Sequence, residues 1–294
     1  MPKISLPLFV AIVSLALLVA SLGWNGYVGD EPRPTSAVGA LRSSGTPAGT
    51  PTSTPTSPPR AGRIISRLPP PHTTPTPSGP LAVTIREIRV TTKVVALTFD
   101  AGADRGHTPE LLALLKRDGV KATFGVTGRW AESNPDLIRE MVADGQEIMN
   151  HTYDHRSFTG VSARPPVLTH AGRIAELDRT ESIVHALTGV SLKPLFRPPY
   201  GDQDASVLRD AAADGYRYSI LWTVDSDGWR GLSTPQIVER CLKGAKPGAI
   251  YVFHVESVSH DVQAMPAIIN GLRARGYSFA TIGELLHLPS KLRA

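Results

Sequence analysis

The 294-residue chain contains a single cysteine, Cys241, so no intrachain disulfide can form. This absence excludes a disulfide-rich secreted scaffold and a cysteine-based zinc cluster, and a lone cysteine is most often a small buried hydrophobe. After residue 83 the sequence also lacks a Lys/Arg stripe with interleaved aromatics, which argues against a nucleic-acid partner. The loop AGADRG (101–106) has neither the dinucleotide nor the P-loop glycine spacing, which argues against a nucleotide.

Two N-terminal segments differ in composition from a globular domain. Lys3 precedes an apolar run over residues 4–24, and a run of about 20 residues matches the thickness of a bilayer core. We therefore expect a membrane anchor, in preference to a cleaved signal peptide, within residues 1–25, with the rest of the chain outside the cytoplasm. Residues 26–82 are rich in Pro, Thr and Ser and are expected to form an extended, disordered linker.

Residues 83–294 have the pattern of an α/β domain. Short β-branched runs such as VVALTF (94–99) and AIYVFHV (249–255) alternate with amphipathic stretches such as TPELLALLKRDG (108–119). This alternation predicts a parallel sheet, and seven or so units fit a distorted or incomplete (β/α) barrel. The predicted ends of successive strands carry unusual polar residues, which such a barrel would bring to one mouth: Asp100, His151, His155, Arg197, Asp225 and His254.

Several of these residue types suit hydrolytic chemistry. His151 and His155 are four residues apart, a spacing that lets two imidazoles bind Zn²⁺ or another first-row cation, although the spacing alone is weak. Asp100 ends an apolar strand and needs a partner if it is buried, and Arg197 could form a bidentate pair with it. His254 ends a later strand and is a natural proton carrier near neutral pH.

Five segments carry a more specific signal. They occur in the order and spacing of the five motifs of the polysaccharide deacetylases, carbohydrate esterase family 4 with its NodB-homology domain. The chain resembles that family over residues 93–286 through TFDAG (98–102), NHTYDH (150–155), FRPPYG (196–201), DSDGW (225–229) and VFH (252–254).

The resemblance implies a role for each matching residue in amide hydrolysis. Asp100 would be the general base that activates water, and Arg197 would hold it in place. Tyr200 would contact the substrate and offer its backbone N–H to the developing oxyanion. His254 would be the general acid that protonates the leaving amine, and Trp229 would form part of the sugar-binding wall.

The resemblance also implies a divalent metal, with Zn²⁺ favoured over Co²⁺ or Mn²⁺ and with His151 and His155 as ligands. The family pattern TFDDG has a second Asp as third ligand, but Ala101 stands there in this chain. The nearest substitute in the sequence is Asp104, ranked above His107 because a loop histidine is more often solvated; otherwise a water would take the third position.

A second departure concerns the general acid. The family's Asp immediately before the motif-four Trp, which tunes the catalytic His, is replaced by Gly228. Asp225 and Asp227 are the candidates for that role, and Asp225 is preferred because it directly follows the strand.

The sequence therefore predicts metal-dependent hydrolysis of N-acetyl groups on a cell-envelope polysaccharide, peptidoglycan or a chitin-like polymer, with release of acetate. The alternatives are a catalytically silent glycan-binding module, suggested by Ala101, and an esterase acting on O-acetylated xylan. The expected partners are the N-acetylated glycan and, through the N-terminal segment, the membrane; no protein partner is predicted.

Overall fold

The computed structural model describes residues 79–162 and 167–290. The predicted leader at 1–25 and all but the last four residues of the predicted linker at 26–82 lie outside these ranges. Within them, no helix is both long and apolar enough to cross a membrane.

The described residues form strands and helices in alternation. The strands are β1 (Val83–Ile85), β2 (Val94–Ala101), β3 (Thr123–Val126), β4 (Glu147–Asn150), β5 (Leu195–Phe196), β6 (Tyr218–Ile220), β7 (Val224–Asp225), β8 (Ile250–His254) and β9 (Ser278–Phe279). The helices are α1 (Thr108–Arg117), α2 (Gly128–Ser133), α3 (Pro135–Ala143), α4 (His170–Thr188), α5 (Ala205–Ala213), α6 (Thr234–Lys243), α7 (Asp261–Ala274) and α8 (Ile282–Leu285).

The strands of this region join one parallel sheet in the order β1-β6-β5-β4-β3-β2-β8-β7, and β9 pairs with β2. β6 and β7 lie near opposite ends of this order, yet only residues 221–223 separate them along the chain. The two ends of the sheet must therefore approach each other, which gives a curled, incomplete barrel. The predicted fold class is confirmed.

The predicted strand at 217–224 is in fact two strands, and the reason lies in its backbone hydrogen bonds. The N–H of Leu221 donates to Ile85 in β1 (2.8 Å), whereas the N–H of Thr223 donates to Ile250 in β8 (2.8 Å). Within three residues the backbone passes from one end of the sheet to the other. The segment therefore cannot continue as one straight strand.

The central strand β2 is buried along its whole length because β3 and β8 flank it and both of its faces are covered. Its side chains alternate between two cores, as the period of two in a strand requires. Leu97 and Phe99 belong to the large core shared with the helices. Val94 and Ala96 belong to the smaller core inside the curled sheet, with Leu195. This inner face leads to the polar residues at the mouth of the barrel.

Candidate active site

The polar side chains at the barrel mouth continue the rows of residues that face the interior. On β2, Ala96 is followed at intervals of two by Thr98 and Asp100; on β8, Ile250 is followed in the same way by Val252 and His254. Asp100 and His254 are direct register partners of the parallel pair. Their side chains therefore point the same way into one cavity.

Two further interior rows end in the same place. His151 follows Met149 of β4, and Arg197 follows Leu195 of β5, each after two residues. Met149 and Leu195 both belong to the smaller core inside the curled sheet. The cavity that these rows meet has a volume of about 590 Å³, within the usual range for a small-molecule site.

Asp100 and Arg197 form the buried ion pair that the sequence suggested. Arg197 has no exposed surface, and its Nη1 donates to Asp100 Oδ1 at 2.7 Å. Its other nitrogens donate to Thr98 Oγ1 (2.8 Å) and to the carbonyl of Ile220 (2.9 Å). Burial by itself would raise the pKa of Asp100, but Arg197 and the neighbouring histidines outweigh burial and hold that pKa below its ordinary value. Asp100 is thus an ionised carboxylate at neutral pH.

The two histidines of the NHTYDH segment lie at the ends of a tight loop rather than on a helical turn. Thr152 and His155 both have positive φ (68° and 62°), which non-glycine residues seldom adopt outside functional sites. The rings of His151 and His155 approach to 4.8 Å between centroids. The loop conformation therefore brings both imidazoles to the same side of the cavity.

A carboxylate outside the five motifs holds this loop. Glu176 of α4 is buried, and its Oε2 accepts hydrogen bonds from the backbone N–H groups of Tyr153 (2.9 Å) and Asp154 (3.0 Å). Sequence reasoning missed this residue because it lies in the middle of a helix, where an acidic residue normally faces solvent. Its burial is the signal that identifies it.

Both imidazoles have the chemistry of metal ligands. Burial lowers the pKa of His151 below its ordinary value, although Asp100 opposes the shift; burial, followed by the nearby His151, lowers the pKa of His155 to about 3. Both rings are therefore neutral, the form that binds a cation. The Nδ1 of His151 lies 2.9 Å from the carbonyl of Arg197. If Nδ1 carries the proton and donates it to this carbonyl, Nε2 keeps a lone pair that can bind a metal. Nε2 lies 3.6 Å from Asp100 Oδ2.

The structure does not bring the suggested third ligand to these histidines. Both carboxylate oxygens of Asp104 accept hydrogen bonds from Ser257, from its N–H at 3.1 Å and from its hydroxyl. Asp104 also lies outside the lining of the cavity. His107 is likewise turned away, to Gln263. No cluster of three His, Cys, Asp or Glu able to hold a metal occurs in the described ranges.

The aromatic residues suggested for substrate contact lie at the exposed rim. Tyr200 is 51% exposed, sits in the turn over residues 199–201 with φ of 60°, and packs edge-on against His155 at 4.7 Å. Trp229 is 54% exposed, and its ring centroid lies 6.5 Å from that of His254. Both line the cavity, which therefore has an aromatic surface beside Asp100 and His254.

The carboxylate next to His254 is Asp261 rather than Asp225. Asp225 lines the cavity, but its Oδ1 accepts a hydrogen bond from the N–H of Asp227 at 2.9 Å. Asp261 begins α7, and its Oδ2 accepts a hydrogen bond from the backbone N–H of His254 at 2.8 Å. The order of the motifs could not reveal this residue, because it lies seven positions after His254 and outside all five motifs.

The fold and the cavity together define a (β/α) barrel with a carboxylate and a histidine, Asp100 and His254, paired at its mouth. Comparison with known proteins agrees: the polysaccharide deacetylase family model matches residues 87–219. A peptidoglycan-N-acetylglucosamine deacetylase from Bacillus cereus is 34% identical over 194 residues, which cover 65% of this chain and 67% of the relative. The peptidoglycan-N-acetylmuramic acid deacetylase PdaA from Bacillus subtilis is 33% identical over 199 residues, 66% of this chain and 72% of the relative.

Solved structures show the same likeness. The structure of Bacillus subtilis PdaA, a family 4 carbohydrate esterase, superposes with a TM-score of 0.63 at 30% identity, covering 69% of this chain and 85% of that one. A family 4 pseudoenzyme from Bacillus anthracis superposes with a TM-score of 0.62 at 29% identity, covering 69% of each chain. The chain belongs to the polysaccharide deacetylases, carbohydrate esterase family 4.

Proposed function

We propose that this chain is a metal-dependent N-deacetylase of a cell-envelope glycan, with peptidoglycan as its first candidate substrate. The observation that carries the proposal is the direct pairing of Asp100 with His254 across β2 and β8, beside the two neutral imidazoles of His151 and His155. An ionised base and a proton carrier on one cavity are what amide hydrolysis requires. The relatives named as peptidoglycan deacetylases support the choice of substrate.

In this proposal the residues of the cavity divide the proton transfers between them. Asp100 takes a proton from the water that attacks the acetyl carbonyl, so that a C–O bond forms. The backbone N–H of Tyr200 stabilises the negative charge on the carbonyl oxygen. His254 donates a proton to the amide nitrogen as the C–N bond breaks, which releases acetate and a free amino group on the sugar.

The remaining residues support this chemistry. A divalent cation held by His151 and His155, with Zn²⁺ expected before Co²⁺ or Mn²⁺, would polarise the carbonyl and ease ionisation of the attacking water. Arg197 keeps Asp100 ionised and correctly oriented, as its 2.7 Å hydrogen bond indicates. Trp229 offers an exposed face against which a sugar ring can stack.

The proposal extends to where the chain acts. The apolar run at residues 4–24 would export the catalytic domain and anchor it in the membrane or serve as its signal. The Pro/Thr/Ser-rich segment would then separate the domain from the membrane by an extended spacer. This arrangement would place the cavity outside the cytoplasm, near the cell wall.

Acetate release tests the proposal. The full chain is stripped with a chelator and assayed on peptidoglycan, a chitooligosaccharide and acetylxylan, alone and with Zn²⁺, Co²⁺ or Mn²⁺. We expect metal-stimulated release from an N-acetylated substrate, and its loss in Asp100→Asn and His254→Gln. The matched controls are Asp178→Asn and His185→Gln on the exposed surface of α4. Acetate release only from acetylxylan would indicate an esterase instead.

One observation favours a second candidate, a catalytically silent glycan-binding module. Ala101 stands where the family pattern has a metal ligand, and the described part of the chain has no three-residue metal cluster. A structural relative is also described as a pseudoenzyme. Binding of the chitooligosaccharide without acetate release under any metal condition would support this second candidate and contradict the first.

A further inference from the structure

The space that a side chain at position 228 would need is already filled by the carboxylate of another residue. A Cβ atom added at Gly228 would lie 2.2 Å from Oδ1 of Asp261 and 2.6 Å from its Cγ. No side chain can occupy both volumes, since real Cβ atoms do not approach other atoms below 3.0 Å. The family pattern has an Asp at position 228. In this chain a carboxylate from α7 enters the same space from the opposite side.

Asp261 is fixed in that space by hydrogen bonds. It has no exposed surface, and its Oδ2 accepts from the N–H of His254 (2.8 Å) and from the hydroxyl of Ser226 (2.9 Å). The N–H of Asp261 donates in turn to Ser259 at 3.3 Å. Two other chain segments therefore hold the carboxylate beside the ring of His254, and the bond to Ser259 fixes the backbone of Asp261 itself.

Two buried atoms of this pair lack a hydrogen-bond partner within the described residues, namely Nδ1 of His254 and Oδ1 of Asp261. Nδ1 lies 3.9 Å from the other carboxylate oxygen, Oδ2. A small rotation of either side chain would bring Nδ1 of His254 within hydrogen-bond distance of the Asp261 carboxylate. The cost of leaving buried polar atoms unpaired favours that rotation. The two unpaired atoms are therefore complementary.

We propose that Asp261 is the positioning carboxylate of His254 and replaces the family's acidic residue at position 228. This inference rests on the proposed function of His254 as the proton donor to the leaving amine. By accepting a hydrogen bond from Nδ1–H, Asp261 fixes the orientation of the ring, presents Nε2 to the cavity and stabilises the charged imidazolium.

Other groups also act on the ring of His254. Asp100 faces it from β2, and His151 and His155 interact with it electrostatically from the loop after β4. The ring of Trp229 covers another side. Asp261 differs from these groups because it lies on the Nδ1 side, behind the ring, and is closed off from the cavity.

The test relocates the carboxylate from position 261 to position 228. The proteins compared are the full-length wild type, Asp261→Asn, Asp261→Ala, Gly228→Asp, and the double variant Gly228→Asp/Asp261→Ala. Asp261→Asn keeps the shape and the acceptor for the His254 N–H, so its fold should persist; circular dichroism checks this.

We expect Asp261→Asn and Asp261→Ala to lower kcat on the order of 10- to 100-fold, a part of what a general acid contributes, with little change in KM. Gly228→Asp alone should also be impaired, because its new side chain meets the carboxylate of Asp261. The double variant should recover at least tenfold over Asp261→Ala, since the clash with Asp261 is gone and a carboxylate has returned. The hydroxyl of Ser259, 2.8 Å from the added Cβ, has to turn aside in this variant. Refilling the empty volume would also repair packing, so the pH profile and the ring tautomer decide whether the carboxylate itself restores kcat.

Two further readouts separate positioning from general damage. Without the carboxylate, the basic limb of the kcat/KM profile should move to lower pH, because the protonated ring loses its stabilising charge. Long-range ¹H–¹⁵N NMR should show the neutral His254 ring as the Nδ1–H tautomer in the wild type and the double variant. In Asp261→Asn the Nε2–H form should appear.

Wild-type kcat and an unchanged tautomer in Asp261→Asn would overturn the inference. A folded double variant that recovers nothing would overturn the claim that the two positions are interchangeable. Failure of the proposed function itself looks different. In that case the wild type releases no acetate from any substrate, while the NMR tautomer still reports whether Asp261 orients His254.

Discussion

Replacing Arg197 by Met should expose how strongly the site depends on its buried charge pair. Met has a similar length and no charge, so Arg197→Met leaves the carboxylate of Asp100, only 6% exposed, without its cationic partner. The same change removes the hydrogen-bond donors to Thr98 and to the carbonyl of Ile220. The variant thus tests both a charge and two hydrogen bonds.

The expected loss follows from the burial of the pair. Removing one partner of a buried ion pair typically lowers the free energy of unfolding by about 3–5 kcal/mol, because the remaining charge is left uncompensated. Asp100→Asn in the Arg197→Met background should recover part of this loss, since the uncharged amide is less costly to bury. The two changes should therefore be strongly non-additive.

The pH dependence gives a second, independent check. In the wild type the pKa of Asp100 lies below the ordinary 3.8, so this carboxylate contributes stability above pH 3.8 that is lost as the pH falls through the lowered pKa. Without Arg197, burial prevails and raises that pKa above 3.8. The folded variant then binds a proton more readily than the unfolded chain, so its stability falls as the pH rises. The stability that Arg197→Met loses relative to the wild type should therefore be smaller at pH 4 than at pH 7.

Urea denaturation followed by tryptophan fluorescence at pH 4 and pH 7 measures both effects. A chelator is present throughout, because a bound metal would stabilise the folded state. Arg117→Met is the matched control, since Arg117 pairs with Asp118 on the exposed end of α1, and its denaturation midpoint should not move. The reasoning fails if the free energy of unfolding of Arg197→Met lies within about 1 kcal/mol of the wild-type value at pH 7, because a loss that small is what a surface ion pair contributes. A deficit that does not narrow at pH 4 would refute it equally.

Three shorter predictions concern other parts of the domain. Gly125→Ala should lower kcat at least tenfold because its Cβ would lie 2.4 Å from Oδ1 of Asp100, whereas the control Gly172→Ala in α4, with contacts no closer than 3.4 Å, should leave activity unchanged; acetate release from both variants decides. His151→Ala should abolish retention of Zn²⁺ after gel filtration, and an unchanged metal content by elemental analysis would count against the two-histidine site. The thiol of Cys241, whose pKa burial raises to about 12, should not react with Ellman's reagent at pH 8 until urea unfolds the protein, and immediate reaction would contradict its burial.

Much of the site could be predicted because strand periodicity and barrel topology act together. Asp100 and His254 stand at the ends of apolar runs, and parallel strands bring such ends to one mouth. The buried pair of Asp100 with Arg197 followed from the cost of an unpaired carboxylate in an apolar strand. The structure confirms this pair with a 2.7 Å hydrogen bond.

The positions that sequence reasoning missed depend on contacts between residues distant in the chain. Glu176 holds the histidine loop from a helix, and Asp261 reaches His254 from the start of another. Neither belongs to a motif, and neither has a local pattern that distinguishes it from a solvated acidic residue. Asp225 was preferred because it follows a strand directly, but its carboxylate accepts a hydrogen bond from the N–H of Asp227 in the turn that begins there. Proximity along the chain could not show that Asp261 is the carboxylate that lies beside Nδ1 of His254.

The two departures from the family pattern are therefore not equivalent in physical terms. At Gly228 a carboxylate is lost from one segment and regained from another, with Asp261 in the same volume. At Ala101 the side chain is fully buried in the core shared with the helices, so no polar group replaces it there. Glu256 lies beside this position: its carboxylate accepts a 3.3 Å hydrogen bond from the N–H of Gly102, and the residue lines the cavity. Residues 256–261, which follow β8 and include the first residue of α7, thus lie beside both altered positions. At position 228 Asp261 supplies a carboxylate 3.9 Å from Nδ1 of His254, whereas near Ala101 Glu256 adds a carboxylate to the cavity wall without completing a three-ligand set among the described residues.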